Sequence, residues 1–217
     1  MRDKSILDNL ESETRKRNLY QQGQDAAALL WRNWKDRPVV DEPREPEFAR
    51  GAIDEIIRRL KDSDDVDKEI REHSEAAAEQ LTKPSRTIYE VFQNADDLGA
   101  LSLRTSLRRS GHGELLFAHD GSQVELSDVI AMTLSFLSSK RGDVTSKGRF
   151  GIGLKTLNQL GSTLKVHCAP YHFEIERGML RPIDPVDGIR GLFTASRSET
   201  LMSVALDGEF DIDSVRS

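Results

Sequence analysis

The chain has 217 residues, room for one ordinary globular domain with a helical extension. Its 31 Lys and Arg against 37 Asp and Glu leave a net charge of −6, which speaks against a nucleic-acid coat or a membrane-surface binder. A single cysteine, Cys168, excludes an internal disulfide and a four-thiolate zinc site, and it fits a reducing, cytoplasmic setting.

Residues 1–84 read as a helical N-terminal extension, with Gly23 and Gly51 as their only glycines. Ile6, Leu7, Leu10, Leu19, Leu29, Leu30, Trp31 and Trp34 mark a helix over about 5–35, the two tryptophans serving as core or interface anchors. The stretch RPVVDEPREPE, with Pro38, Pro43 and Pro46, breaks it into a linker. Phe48, Ile53, Ile56, Ile57 and Leu60 then recur at helical spacing, and Val66, Ile70, His73, Ala77 and Leu81 line a further helix that Pro84 ends. His73 reads as a packed or surface histidine.

Residues 85–217 alternate between helical and strand periods. A helix is predicted from Arg86 to Leu98. Leu101, Leu103, Thr105 and Leu107 alternate as a strand, SGHG turns, and GELLFAHDG returns as a second strand. A helix follows over about 126–137, then the loop SSKRGDVTSKGRFGIG, a helix from about Leu154, and strands in TLKVHC, YHFEIERG and ETLMSVAL. This order predicts an α/β (α+β) two-layer sandwich, one mixed sheet with helices on one face. Arg104, Arg108 and Arg109, on or beside the first hairpin, read as an exposed edge that discourages strand addition. No stretch of about 18 apolar residues offers a membrane span. The end at DIDSVRS has no obvious cap, so a longer parent chain with other domains is expected.

Three constellations carry chemistry. On the helix after Pro84, Glu90, Asn94 and Asp97 fall on one face beside Ile88, Val91, Phe92, Ala95 and Leu98. An amide one turn from a carboxylate can ligate magnesium while the acid takes a proton from water; a solvated polar stripe has the same pattern. His119-Asp120-Gly121 directly follows an apolar strand, so Asp120 can accept from an exocyclic amine and Gly121 lets a ring approach; a plain Asp-Gly turn looks alike. Lys147-Gly148-Arg149-Phe150-Gly151-Ile152-Gly153-Leu154-Lys155 opens a helix with exposed N–H groups suited to an anion, or forms a hinge. It is neither a P-loop nor a dinucleotide fingerprint, since Leu154 separates Gly153 from Lys155 and Thr156 stands where a third glycine is needed. Lys140, Arg141, Lys147, Arg149 and Lys155 against Asp143 suit a polyphosphate.

In this order and spacing the motifs resemble the GHKL superfamily: gyrase, the ninety-kilodalton heat-shock chaperones, histidine kinases and MutL-type proteins. QNADD and GRFGIG are most similar to the sacsin and heat-shock-chaperone branch. The resemblance covers about 85–206 and implies a Bergerat ATP-binding fold for 85–217. It implies that Glu90 activates water, that Asn94 holds Mg2+ with Ala95 and Asp97 completing the box, that Asp120 and Gly121 meet the adenine, and that Gly148, Gly151 and Gly153 wrap the phosphates. The chaperones' D-x-G-x-G is shortened here, because Gly121 follows Asp120 directly. For the threonine that supports the adenine contact, Thr200 is the choice, with Thr163 and Thr194 as competitors. Residues 1–84 match no known pattern.

The resemblance further implies ATP and Mg2+ as ligands and slow hydrolysis to ADP and phosphate. A lid at about 138–150, with Lys155 or a lid cation facing the γ-phosphate, would report closure to neighbouring domains or to a nucleotide-dependent homodimer. Two alternatives stay open: a nucleotide-sensing interaction module without hydrolysis, and a helical scaffold whose glycine loops are hinges. Nucleic acid and membrane are not expected partners.

Overall fold

The computed structural model describes residues 2–33, 38–62, 84–108, 113–137, 157, 160, 161, 163–176, 179–194 and 198–206. Helix α1 spans Arg2–Arg32 and α2 spans Pro46–Asp62. Pro46 opens α2 where its missing N–H is not needed, with Glu47 in the first turn and Arg59 and Lys61 in the last complementing the helix dipole. The two helices lie backbone against backbone. A Cβ on Gly23 would stand 2.1 Å from the Phe48 carbonyl oxygen, and one on Gly51 would stand 2.0 Å from that of Tyr20. The only two glycines of the extension thus mark the helix contact, which Tyr20 closes by donating its hydroxyl to Asp54.

Helices α3 (Pro84–Asp97) and α4 (Leu126–Leu137) are the other two helices among the described residues. The strands are β1 (Leu103–Arg108), β2 (Glu114–His119), β3 (Thr163–Cys168), β4 (Tyr171–Glu176), β5 (Met179–Pro182), β6 (Gly188–Ile189), β7 (Phe193–Thr194) and β8 (Thr200–Ala205). Six of them form one sheet in the order β1-β2-β8-β3-β4-β5. Every pairing in it is antiparallel, where a mixed sheet was expected. Alternating apolar residues fix which side of a strand is buried and carry no information on its direction. The last strand slots between β2 and β3 and runs against both.

Register sorts the side chains into two faces. Leu115 and Phe117 of β2, Leu164, Val166 and Cys168 of β3, Tyr171, Phe173 and Ile175 of β4, and Met202 and Val204 of β8 share one core with Leu30 of α1, Phe48 and Ile56 of α2, Val91 of α3 and Ile130 of α4. All four helices therefore pack on one face, and the extension shares the core of the sheet. Trp31 packs against that core half-buried; Trp34, the expected helix over 66–81 and Arg109 lie outside the described residues.

On the other face, Leu116, Ala118 and Leu201 pack under Leu192 and Phe193 of the β6–β7 ribbon. Here Arg104 is no free edge charge. It pairs with Glu199, which is 4% exposed and also accepts the Thr194 N–H. The same face carries the cross-strand pair His167 and His172, with ring centroids 5.6 Å apart. Burial, with the neighbouring His172 and Lys165, lowers the His167 imidazole to about 4, and burial lowers His172 as well.

Two tests follow from this packing. Gly23→Ala or Gly51→Ala should destabilise the chain by about 1–3 kcal/mol, although alanine is the better helix former, because the backbones must part; thermal unfolding reads it, and an unchanged or raised midpoint contradicts the close contact. For His167, folded and unfolded chains are both neutral above the ordinary value of 6.5. As pH falls from there towards about 4, the unfolded chain takes up a proton that the folded chain refuses, so stability is lost. His167→Phe should flatten that part of the curve of urea midpoint against pH; an identical slope contradicts the assignment.

Candidate functional site

Helix α3 carries a buried stripe of Val91, Ala95 and Leu98, with Asn94 half-buried at its margin and Asp97 exposed beside it. Glu90 belongs to α3, one turn before Asn94, but its side chain lies outside what the structure describes. The helix ends in a Schellman turn. Ala100 N–H donates to the Ala95 carbonyl at 2.9 Å and Gly99 N–H to that of Asp96 at 2.8 Å, with Gly99 at φ 72°. Only glycine takes that conformation without strain.

The Leu98 carbonyl is left over by this cap, and the expected adenine-binding turn takes it. Ser122 donates to it from its backbone N–H at 2.9 Å and from its hydroxyl at 3.2 Å. The turn is bonded back to the same loop, since Asp120 Oδ1 accepts the N–H groups of Leu101 and Ser102 at 2.8 Å each. These bonds, Ser102's first, hold the exposed Asp120 carboxyl below the usual carboxylate range. Gly121 is buried against the helix end, where a Cβ would stand 3.0 Å from both Leu98 Cβ and the Leu98 oxygen.

Behind the turn, His119 and Thr200 face each other across the β2–β8 ladder. Both are buried on the helix side of the sheet. His119 Nδ1 accepts the Gly121 N–H at 3.2 Å. His119 Nε2 is buried with no hydrogen-bond partner among the described residues, and the buried Thr200 hydroxyl lies against the Cys168 thiol. Of the three candidate threonines, Thr200 alone stands at this end of the sheet: Thr163 pairs with Ala205 at the opposite end of β8, and Thr194 lies on the ribbon.

A second set of contacts reaches the site from the proline-rich linker. Glu42 Oε2 accepts the Leu126 N–H at 2.8 Å and the Tyr171 hydroxyl at 3.0 Å, while Arg44 donates to the Val124 carbonyl at 2.8 Å. Asp128 reaches back to the Glu125 N–H at 3.0 Å and so caps α4. Burial pushes the Glu42 carboxyl up, and burial beside Glu42 pushes up the Tyr171 hydroxyl. The linker, α4 and β4 are thereby clasped together just downstream of the Asp120 turn. No periodicity announces this clasp, because its members lie 84 and 129 residues apart.

The structure thus joins the helix bearing Glu90, Asn94 and Asp97 to the Asp120–Gly121 turn, and sets Thr200 next to that turn. Lys147, Gly148, Arg149, Phe150, Gly151, Ile152, Gly153 and Lys155, and the expected lid, lie outside the described residues. Sequence reasoning passed over His119 as a group in its own right; its place between an apolar strand and Asp-Gly was the available signal. No helix among the described residues is long and apolar enough to cross a membrane. Compared with known protein families and with curated proteins, the chain matches none.

Gly121→Ala should cost about 1–2 kcal/mol, because the added methyl meets the helix end and its carbonyl. Denaturant unfolding checks this, and a variant as stable as the parent would show that the turn is not docked as described.

Proposed function

We propose that the chain is a magnesium-dependent ATP-binding module that slowly hydrolyses ATP, with a Bergerat-type domain of the GHKL superfamily closest to the sacsin and heat-shock-chaperone branch. The observation that carries this reading is the seating of the Asp120–Gly121–Ser122 turn on the end of the helix that bears Glu90, Asn94 and Asp97. Supporting it is the orphaned His119 Nε2 behind the turn, which a polar ring could satisfy.

The donor set also suits the proposed cation. Among the described residues no group of three or more His, Cys, Asp or Glu gathers to hold a metal. A single neutral oxygen from Asn94 is what magnesium needs when it arrives on a triphosphate and keeps most of its waters. Bound there, magnesium would offset phosphate charge.

In this reading each residue has a limited task. Asp120 spends two acceptor sites on backbone N–H groups and keeps others for the adenine amine. Backbone N–H groups of Gly148–Gly153 receive the phosphates, and Lys147, Arg149 and Lys155 offset their charge. Glu90 orients water and takes its proton as the water oxygen bonds to the γ-phosphorus and the bond to the β,γ-bridging oxygen breaks. ADP and phosphate leave. Positioning and charge stabilisation do most of the work. Lid closure acts as the conformational switch, felt by other domains of a longer cytoplasmic chain or by a second copy.

Calorimetry with phosphate release tests this. Glu90→Ala should bind ATP with magnesium as the parent does and lose turnover by at least about a hundredfold. Asp120→Ala should lose binding. Full hydrolysis by Glu90→Ala removes it as the base; binding without turnover in the parent favours a nucleotide sensor; no binding by the parent contradicts the proposal.

A further inference from the structure

His119 ends β2 with 1% exposure, and its tautomer is fixed by its neighbour. Because Nδ1 accepts the Gly121 N–H, a neutral ring must carry its proton on Nε2. Burial lowers the imidazole pKa, with the Asp120 charge partly opposing, so the neutral form is favoured. The result is a buried Nε2–H donor with no acceptor among the described residues. Its cross-strand neighbour Thr200, 0% exposed, holds a hydroxyl that lies against the Cys168 thiol. An unmet buried polar group is costly, and this Nε2–H stands beside a turn tied to a helix end.

We propose that His119 is a base-reading residue, whose Nε2–H beside Thr200 Oγ1 donates directly to an unprotonated ring nitrogen of adenine. This rests on the nucleotide reading above and deepens it. Adenine presents an acceptor nitrogen, N1, next to its exocyclic amine. Guanine presents N1–H at that position and a carbonyl in place of the amine. A fixed donor complements the first and meets another donor in the second, which leaves both N–H groups unpaired in a buried place. His119 therefore sets the preference for ATP over GTP, and it does so because Gly121 denies it the other tautomer.

Two substitutions separate the ring's two nitrogens. His119→Asn keeps an acceptor near Nδ1 for the Gly121 N–H and removes the distal donor; His119→Gln puts an N–H near Nε2. Calorimetry of the full chain with magnesium and either ATP or GTP should show His119→Asn losing about tenfold in ATP affinity with GTP affinity unchanged, and His119→Gln recovering part of the preference. In the parent, the 15N-coupled Nε2–H signal of His119 should shift on saturation with ATP. A folded His119→Asn with full ATP preference overturns the inference, as does a parent that binds ATP with an unmoved Nε2–H signal, whether or not the variants fold. A parent that binds ATP no better than GTP also overturns it while leaving nucleotide binding intact. A parent that binds neither overturns the nucleotide reading, and the inference falls with it.

Discussion

At the end of α3 the Schellman turn satisfies the carbonyls of Ala95 and Asp96, and the carbonyl of Leu98 goes instead to Ser122. Much of the site's order follows from that exchange. An open carbonyl at a buried helix end must find a donor. The donor chosen lies two residues past Asp120, so the helix and the turn after β2 are held in one register. Gly121 permits the approach because a side chain there would strike the helix end. Asp120 closes the arrangement from the other direction by accepting two N–H groups of the loop leaving α3. A carboxylate held in this way is kept ionised and aimed. Asn94, one turn inside the helix, inherits a fixed distance from it.

The extension is tied into the same framework. Gly23 and Gly51 bring α1 and α2 into backbone contact, and α2 packs on β4 and β5. The linker between the two helices then crosses to the start of α4 through Glu42 and Arg44. α4 begins just after the Asp120 turn, so the partly buried Glu42 carboxylate ties the linker to the element that follows that turn. The Asp120 turn and the helices of the extension are thereby joined through described contacts.

Much of this was legible in the residues. The strands TLKVHC and YHFEIE alternate because one face is buried by helices, the strand in ETLMSVAL is apolar on both faces because the ribbon covers the second, and α3 and α4 showed their apolar stripes. The Asp120 turn and the helix before it were paired by motif, and they meet. What stayed hidden was of three kinds. Strand direction and the slotting of β8 between β2 and β3 depend on pairings between distant residues. Strands β5 to β7 are short, and their exposed positions, such as Met179 and Arg181, carry no period. The roles of Glu42, Arg104 and His119 depend on residues far away in sequence: Leu126 and Tyr171 for Glu42, Glu199 for Arg104, and the cross-strand Thr200 for His119.

If the helix end, the Asp120 turn and the glycine stretch serve one bound nucleotide, hydrogen exchange of the backbone amides on adding ATP and magnesium should slow together at about 94–102, 119–122 and 148–153, and this protection should be lost in Asp120→Ala. Protection confined to one of these segments, or found elsewhere in the chain with these three unchanged, would contradict that shared role.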